Sequence, residues 1–252
     1  MRQRNSYSRI IWDLELWEQK PKGAKIQLFH HCVEKDITSF YIDTSEFTIS
    51  PKDALGTALS ESGLSRDEIQ LIGGIREENP NAEKIISKVE ELLNNLKTDY
   101  LDLLLIDFSS SPKEIKSALE QLKSQGKITE TGLLKKDFRK QEEVDDISIQ
   151  ATLAPWKYSP ASVKMLSLER APAENITEML FLELEAPGEK TVEAAKKYQL
   201  SGKEFVLAWL LQHPAHFHPI LKGGEQEEID AAVKAFHTTL IREDREKFPK
   251  QL

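Results

Sequence analysis

Eight short apolar stretches recur along this chain, and amphipathic segments of helical spacing alternate with them. They occupy residues 10–16, 39–43, 69–75, 101–107, 128–134, 147–153, 179–184 and 218–221. Helical patterns lie at 24–35, 53–60, 81–96, 112–125, 161–168 and 191–199. "SGKEFVLAWLLQHP" adds an apolar helix, and "EQEEIDAAVKAF" a final one after the last strand. Strands that alternate with helices make parallel pairs, because each crossover returns the chain to the same end of the sheet. Eight such units predict an α/β fold of the closed (β/α)8 TIM-barrel kind in preference to an open doubly wound sheet. Neither GxGxxG nor GxxxxGK[ST] follows any strand, so a dinucleotide fingerprint and a P-loop are both unsupported. The 252 residues suffice for one barrel. No linker-like tract divides them, so a single compact domain over 1–252 with short strand-to-helix loops is expected.

The stretch "TDYLDLLLIDFSS" illustrates the logic. Its run of leucine and isoleucine suits a strand covered on both faces, yet it ends in Asp107. A buried carboxylate is costly without a partner. In a barrel of this kind, however, strand C-termini form the functional mouth, where polar groups meet water and ligands. The residues to read are therefore Asp43, 72–76, Asp107, 133–135, Gln150, 181–185 and 222–224. Asp43, Asp107 and one or both of Glu183 and Glu185 would make that mouth acidic.

A net charge of −8 argues against a nucleic-acid surface. No apolar run reaches transmembrane length, and the N-terminus lacks the core of a signal peptide, so no membrane association and a cytoplasmic location are expected. The single cysteine, Cys32, excludes an internal disulfide. His213, His216 and His218 in "HPAHFHP" have no carboxylate or cysteine partner nearby in sequence, so no metal site is read there. Trp209 belongs to an apolar helical stripe and reads as core; Trp12 and Trp156 fall near strand ends, with core packing again the default. "GEQEEID" reads as helix N-terminal charge that favours the macrodipole.

Several stretches, in order and spacing, resemble the aldo-keto reductases, NAD(P)H-dependent enzymes built on a (β/α)8 barrel. "SRIIWDLELW" looks like the family's first strand and "SFYIDTSE" like its "FDTA" segment. "LNNLKTDYLDLLLID" is similar to the stretch that ordinarily ends "LIH", and "ALEQLKSQGKITETGL" to the segment ending "GVSN". "VLAWLLQHP" resembles the helix before the cofactor's phosphate site. The resemblance covers most of the chain.

Family catalysis rests on a tyrosine acid, a lysine and an aspartate that tune it, and a histidine that orients the carbonyl. Carried over position by position, the aspartate is Asp43, and the tyrosine's place is taken by Thr48. Thr48 carries an aliphatic hydroxyl, a far weaker acid than a phenol. The lysine's place falls at Ile72, Gly73 or Gly74, with Arg76 the nearest cation, and the histidine's place is Asp107. Arginine stays protonated and does not replace a phenol as acid. Tyr41 shares a strand face with Asp43 but lies one pleat deeper, so it is not expected to stand in.

For the cofactor, the resemblance matches Gln150 to the glutamine that holds the nicotinamide carboxamide. Leu134 and Lys135 stand near its serine and asparagine partners, and Phe181 matches the aromatic residue that stacks on the ring. "PILKGGEQEEI" resembles the phosphate loop, where Lys222, Gly223 and Gly224 would meet phosphate. Glu225 stands where a basic residue often contacts the 2′-phosphate, and Glu227 and Glu228 follow, a pattern that repels NADPH more than NADH. The expectation from sequence is a degenerate family member that has lost carbonyl reduction and binds a small molecule or a protein. The alternative is an NAD(P)H-dependent oxidoreductase with a rearranged site, and a third reading is different chemistry at the carboxylate mouth.

Overall fold

The structure, a computed structural model, describes residues 7–43, 54–76, 81–106, 112–135, 149–157, 177–183, 187–214 and 216–251. Eight parallel strands pair in chain order and the last returns to the first, closing a barrel. They are β1 Ile11–Asp13, β2 Ser39–Asp43, β3 Gln70–Ile75, β4 Leu101–Ile106, β5 Ile128–Lys135, β6 Ile149–Lys157, β7 Thr177–Glu183 and β8 His218–Lys222. The described helices are α1 Lys22–Glu34, α2 Ala54–Glu61, α3 Ala82–Leu96, α4 Pro112–Ser124, α5 Glu189–Lys196, α6 Gly202–Leu211, α7 Gln226–His237 and α8 Arg242–Gln251. The helix expected at 161–168 and the connections at 136–148 and 158–176 lie outside the described residues.

Strand alternation separates two apolar layers. Ile11, Tyr41, Ile72, Leu103, Leu105, Leu134, Met179, Phe181 and Ile220 pack together inside the barrel. Leu104 and Ile106 of β4, one residue out of phase, face the outer layer with Leu92, Leu93 and Leu96 of α3. The continuous apolar run of β4 therefore serves both layers, as a strand buried on both faces requires. Its one interruption, Asp102, accepts from the Leu71 amide (2.8 Å) and pairs with Arg66 (2.6 Å). Tyr7 packs against the inner layer, its hydroxyl bonded to Glu130 at 3.0 Å.

β1 is shorter than the apolar stretch 10–16 suggests. After Asp13 the chain turns into a short 3-10 segment, Glu15–Trp17, and the Asp13 carboxylate accepts from the Glu15 amide at 3.0 Å. That turn swings Trp17 under the end of β8. The indole N–H groups of Trp12 and Trp17 both donate to the Gly223 carbonyl, at 3.0 and 2.8 Å. Both tryptophans are core residues, and so is Trp209; the Trp156 side chain is not among those described.

Candidate functional site

Four neighbouring strand ends, β8, β1, β2 and β3, bring Lys222, Asp13, Asp43 and the residue after β3, Arg76, to one side of the mouth. Arg76 forms an ion pair with Asp43, whose side chain is fully buried. Tyr41 donates its hydroxyl to Asp43 Oδ2 at 3.1 Å. Although Tyr41 is one pleat deeper than Asp43, the length of the ring carries its hydroxyl up to the carboxylate. The expectation that depth excludes Tyr41 from the site is corrected accordingly. Burial and the nearby Asp43 charge hold the Tyr41 phenol well above its ordinary pKa, against a smaller opposing effect of Arg76.

The register of β2 and β3 settles which residue faces Asp43. Gly74 lies opposite Asp43 and Gly73 opposite Ile42. A Cβ at Gly73 would point outward, 2.7 Å from a Leu101 methyl and 3.0 Å from a Leu92 methyl. A Cβ at Gly74 would point inward onto Tyr41, 2.7 Å from Cζ and nearer still to the hydroxyl. Of the three places that the resemblance left for the lysine, Gly74 is the one that faces inward beside Asp43. Its side-chain volume is filled by the Tyr41 phenol.

Phe181 of β7 completes the cluster. Its ring meets Tyr41 edge-on at 4.8 Å between centroids, and the Arg76 guanidinium lies 4.8 Å from its centroid. An arginine at that distance sits within cation–π range. One face of the Phe181 ring is thus engaged by Arg76, and the ring also meets Tyr41.

Asp13 is a site residue that the sequence reading passed over. Only 1% of it is exposed, and Oδ2 makes no hydrogen bond among the described residues. Lys222 Nζ stands 4.0 Å away and is itself paired with Glu15. Burial pushes the Asp13 carboxyl up to about 7; Lys222 and Arg76 oppose the rise and Asp43 adds to it. The clue was available, since "IIWD" ends an apolar strand in a carboxylate just as "LLLID" does.

The β8–α7 loop carries Gly223 and Gly224. Its carbonyl at Gly223 is held by the two indoles described above, which fixes the direction of the following amides. Gly224 N–H donates to Glu228 Oε2 at 2.7 Å and Glu225 N–H to the same oxygen at 3.0 Å. Glu225 and Glu228 also form a reciprocal capping box at the start of α7. Lys20 pairs with Glu225 at 2.8 Å. Beside the loop is a cavity of ≈ 260 Å³ between β7, β8, α6 and α7, lined by Trp12, Leu207, Leu221, Lys222 and Glu228 among others.

Thr48 and Asp107 lie outside the described residues, as does Glu185. Of Gln150 the backbone alone is described, paired in register with Leu133 and Glu178. The side chains of Lys135 and Glu183 are likewise not described. His213 packs between Trp209 and Phe217, while His218 Nδ1 lies 3.0 Å from the Ser8 carbonyl. No group of three or more potential metal ligands occurs among the described residues, and none of their helices is long and apolar enough to cross a membrane.

Comparison with known proteins places this geometry in a family. The chain is 26% identical over 267 residues to the uncharacterized oxidoreductase YcsN of Bacillus subtilis, covering 91% of this chain and 89% of the relative. It is 26% identical over 218 residues to the methylglyoxal reductase DkgB of Escherichia coli O157:H7, covering 81% and 79%. Its fold superimposes on a Bombyx mori aldo-keto reductase in complex with NADP at a TM-score of 0.69 and 15% identity, over 98% of this chain and 89% of that one. The model of the aldo/keto reductase family matches residues 11–183, more than half of the chain. By that match, the chain belongs to the aldo/keto reductase family.

Proposed function

We propose that this family member binds a small molecule or a protein at a rebuilt barrel mouth and does not reduce carbonyls by the family's route. The observation that carries the reading is Tyr41 in the volume beside Gly74. In carbonyl reduction, hydride arrives at carbon and a proton must reach the oxygen, supplied by a phenol whose pKa a nearby cation lowers. Here the phenol in the site is buried, bonded to a carboxylate and raised in pKa. Arg76 neutralises Asp43 and cannot deliver the proton itself.

The family implies NAD(P)H, and the residues at three contact points fit it poorly. One face of Phe181 is engaged by Arg76, Lys222 is paired with Glu15, and the loop amides are met by Glu228. What the mouth offers is an ion pair on the fully buried Asp43, a guanidinium lying over an aromatic ring, and a buried carboxyl, Asp13, that burial pushes up to about 7. Such a set suits recognition of a small polar molecule.

A second reading, an NAD(P)H-dependent oxidoreductase with a rearranged site, has its own support. The relatives are named as reductases, which weighs for this reading over the first. In addition, Tyr41, Asp43 and Arg76 unite a phenol, an aspartate and a cation, three of the four kinds of group that the family uses. One assay separates the readings: NADPH and NADH oxidation followed by absorbance with methylglyoxal and glyoxal as substrates. The first reading expects no turnover above the buffer rate. Turnover that Tyr41→Phe abolishes in a folded protein overturns it and establishes the second.

A further inference from the structure

A dinucleotide's phosphates need an anion cradle, and backbone N–H groups at a helix start provide one. This chain retains the backbone of such a cradle. Two successive amides, Gly224 and Glu225, converge on one point at the N-terminus of α7, and two indoles hold the preceding carbonyl in place. At the point of convergence stands a carboxylate oxygen of the chain itself, Glu228 Oε2. The nearby cations already have carboxylate partners: Lys222 pairs with Glu15, and Lys20, whose Nζ lies 3.5 Å from where a Gly224 Cβ would stand, pairs with Glu225. A phosphate arriving there would meet the Glu228 and Glu225 charges and find both amides engaged.

We propose that Glu228 is a built-in anion that closes the Gly224–Glu225 amides of this loop to phosphate. Glu228 lines the adjoining cavity together with apolar Trp12, Leu207 and Leu221, and with Lys203 and Lys222. Its carboxylate is the selectivity element, and the amides behind it are a latent anion site that one substitution opens. The inference extends the first functional reading, that the family's cofactor is not held in the family's way, but it is tested separately.

The test is a titration of inorganic phosphate, with NADPH as a second probe, followed by the Gly224 and Glu225 amide resonances of ¹⁵N-labelled full-length protein. Chloride at matched ionic strength serves as control, and circular dichroism checks folding. In the wild type, neither probe moves these two resonances. In Glu228→Ala, both move saturably with phosphate; in Glu228→Gln, which keeps the side chain's length but loses its charge, they move less. Movement in the wild type, or none in a folded Glu228→Ala, overturns the proposal. NADPH oxidation with methylglyoxal that Tyr41→Phe abolishes, while the Gly224 amide stays still in the wild type, sinks the functional reading and leaves this one standing. Phosphate that shifts the wild-type amides without any NADPH turnover does the reverse.

Discussion

The ends of β3 and β8 are filled in different ways. At β3 the residue that faces Asp43 is a glycine, and the volume beside it is packed by Tyr41 from the neighbouring strand. At the β8 loop the backbone is intact, and a carboxylate from the next turn of helix occupies the point where its amides converge. Where a strand end carries no side chain, neighbouring groups pack into the space, because the interior is as dense as an organic crystal and holds few voids. Backbone amides are there whatever the side chains. The donors must still be satisfied, and a local carboxylate can do this without rebuilding the core. Opening space at the first place therefore needs coordinated changes, and opening the second needs one.

The sharpest way to break this contrast is at Gly74. Gly74→Ala puts a methyl against a fully buried phenol and should cost about 3 kcal/mol, the upper part of the range for overpacked cores. In a Tyr41→Val background the same change should cost far less, giving a strongly non-additive cycle in denaturant unfolding. Glycine to alanine in a strand with free space would instead stabilise slightly by restricting the unfolded chain. A neutral or stabilising Gly74→Ala in the wild-type background would mean that the Tyr41 ring does not fill this place.

Much of this was legible in the sequence, for identifiable reasons. The period-2 faces of β4 follow from its unbroken apolar run, and the order of the eight strands follows from the alternation. Asp43 at a mouth was legible because barrel strands present their C-terminal ends to ligands. Tyr41 was misplaced because alternation gives the direction of a side chain and not its reach; a phenol spans a full pleat. The Gly73–Gly74 pair was the available signal, since glycine inside a strand marks the close approach of another group. Glu228 was legible as a charge near a helix start. That its oxygen meets the amides before α7 depends on the two indoles that aim the loop, a tertiary effect with no local signature.

Asp13, buried on the same side of the mouth, adds a second, smaller effect. Its carboxyl is raised to about 7 from the usual range. The folded state thus keeps a proton that the unfolded state has released, and stability falls as pH rises through the folded pKa. Between pH about 5 and about 8 the loss should be on the order of 2 kcal/mol. Lys222, Arg76, Asp43 and Glu15 surround the group, so the comparison that isolates it is wild type against Asp13→Asn. Chemical unfolding across this range should show a slope in the wild type that is largely absent in the variant. Equal slopes would assign the pH dependence to other groups.

The smallest expected effect is at Glu228. Removing a side chain that caps a helix start costs roughly 1 kcal/mol, so Glu228→Ala should melt a few degrees lower than the wild type. What distinguishes this loss from an ordinary cap deletion is its reversal. An anion that binds only the folded variant raises stability in proportion to the logarithm of its concentration above the dissociation constant. Inorganic phosphate should therefore recover part of the lost melting temperature in Glu228→Ala, with no matching gain in the wild type and none from chloride. If phosphate raises both proteins equally, the ion acts on the general surface, and the β8 loop is as firmly closed as the end of β3.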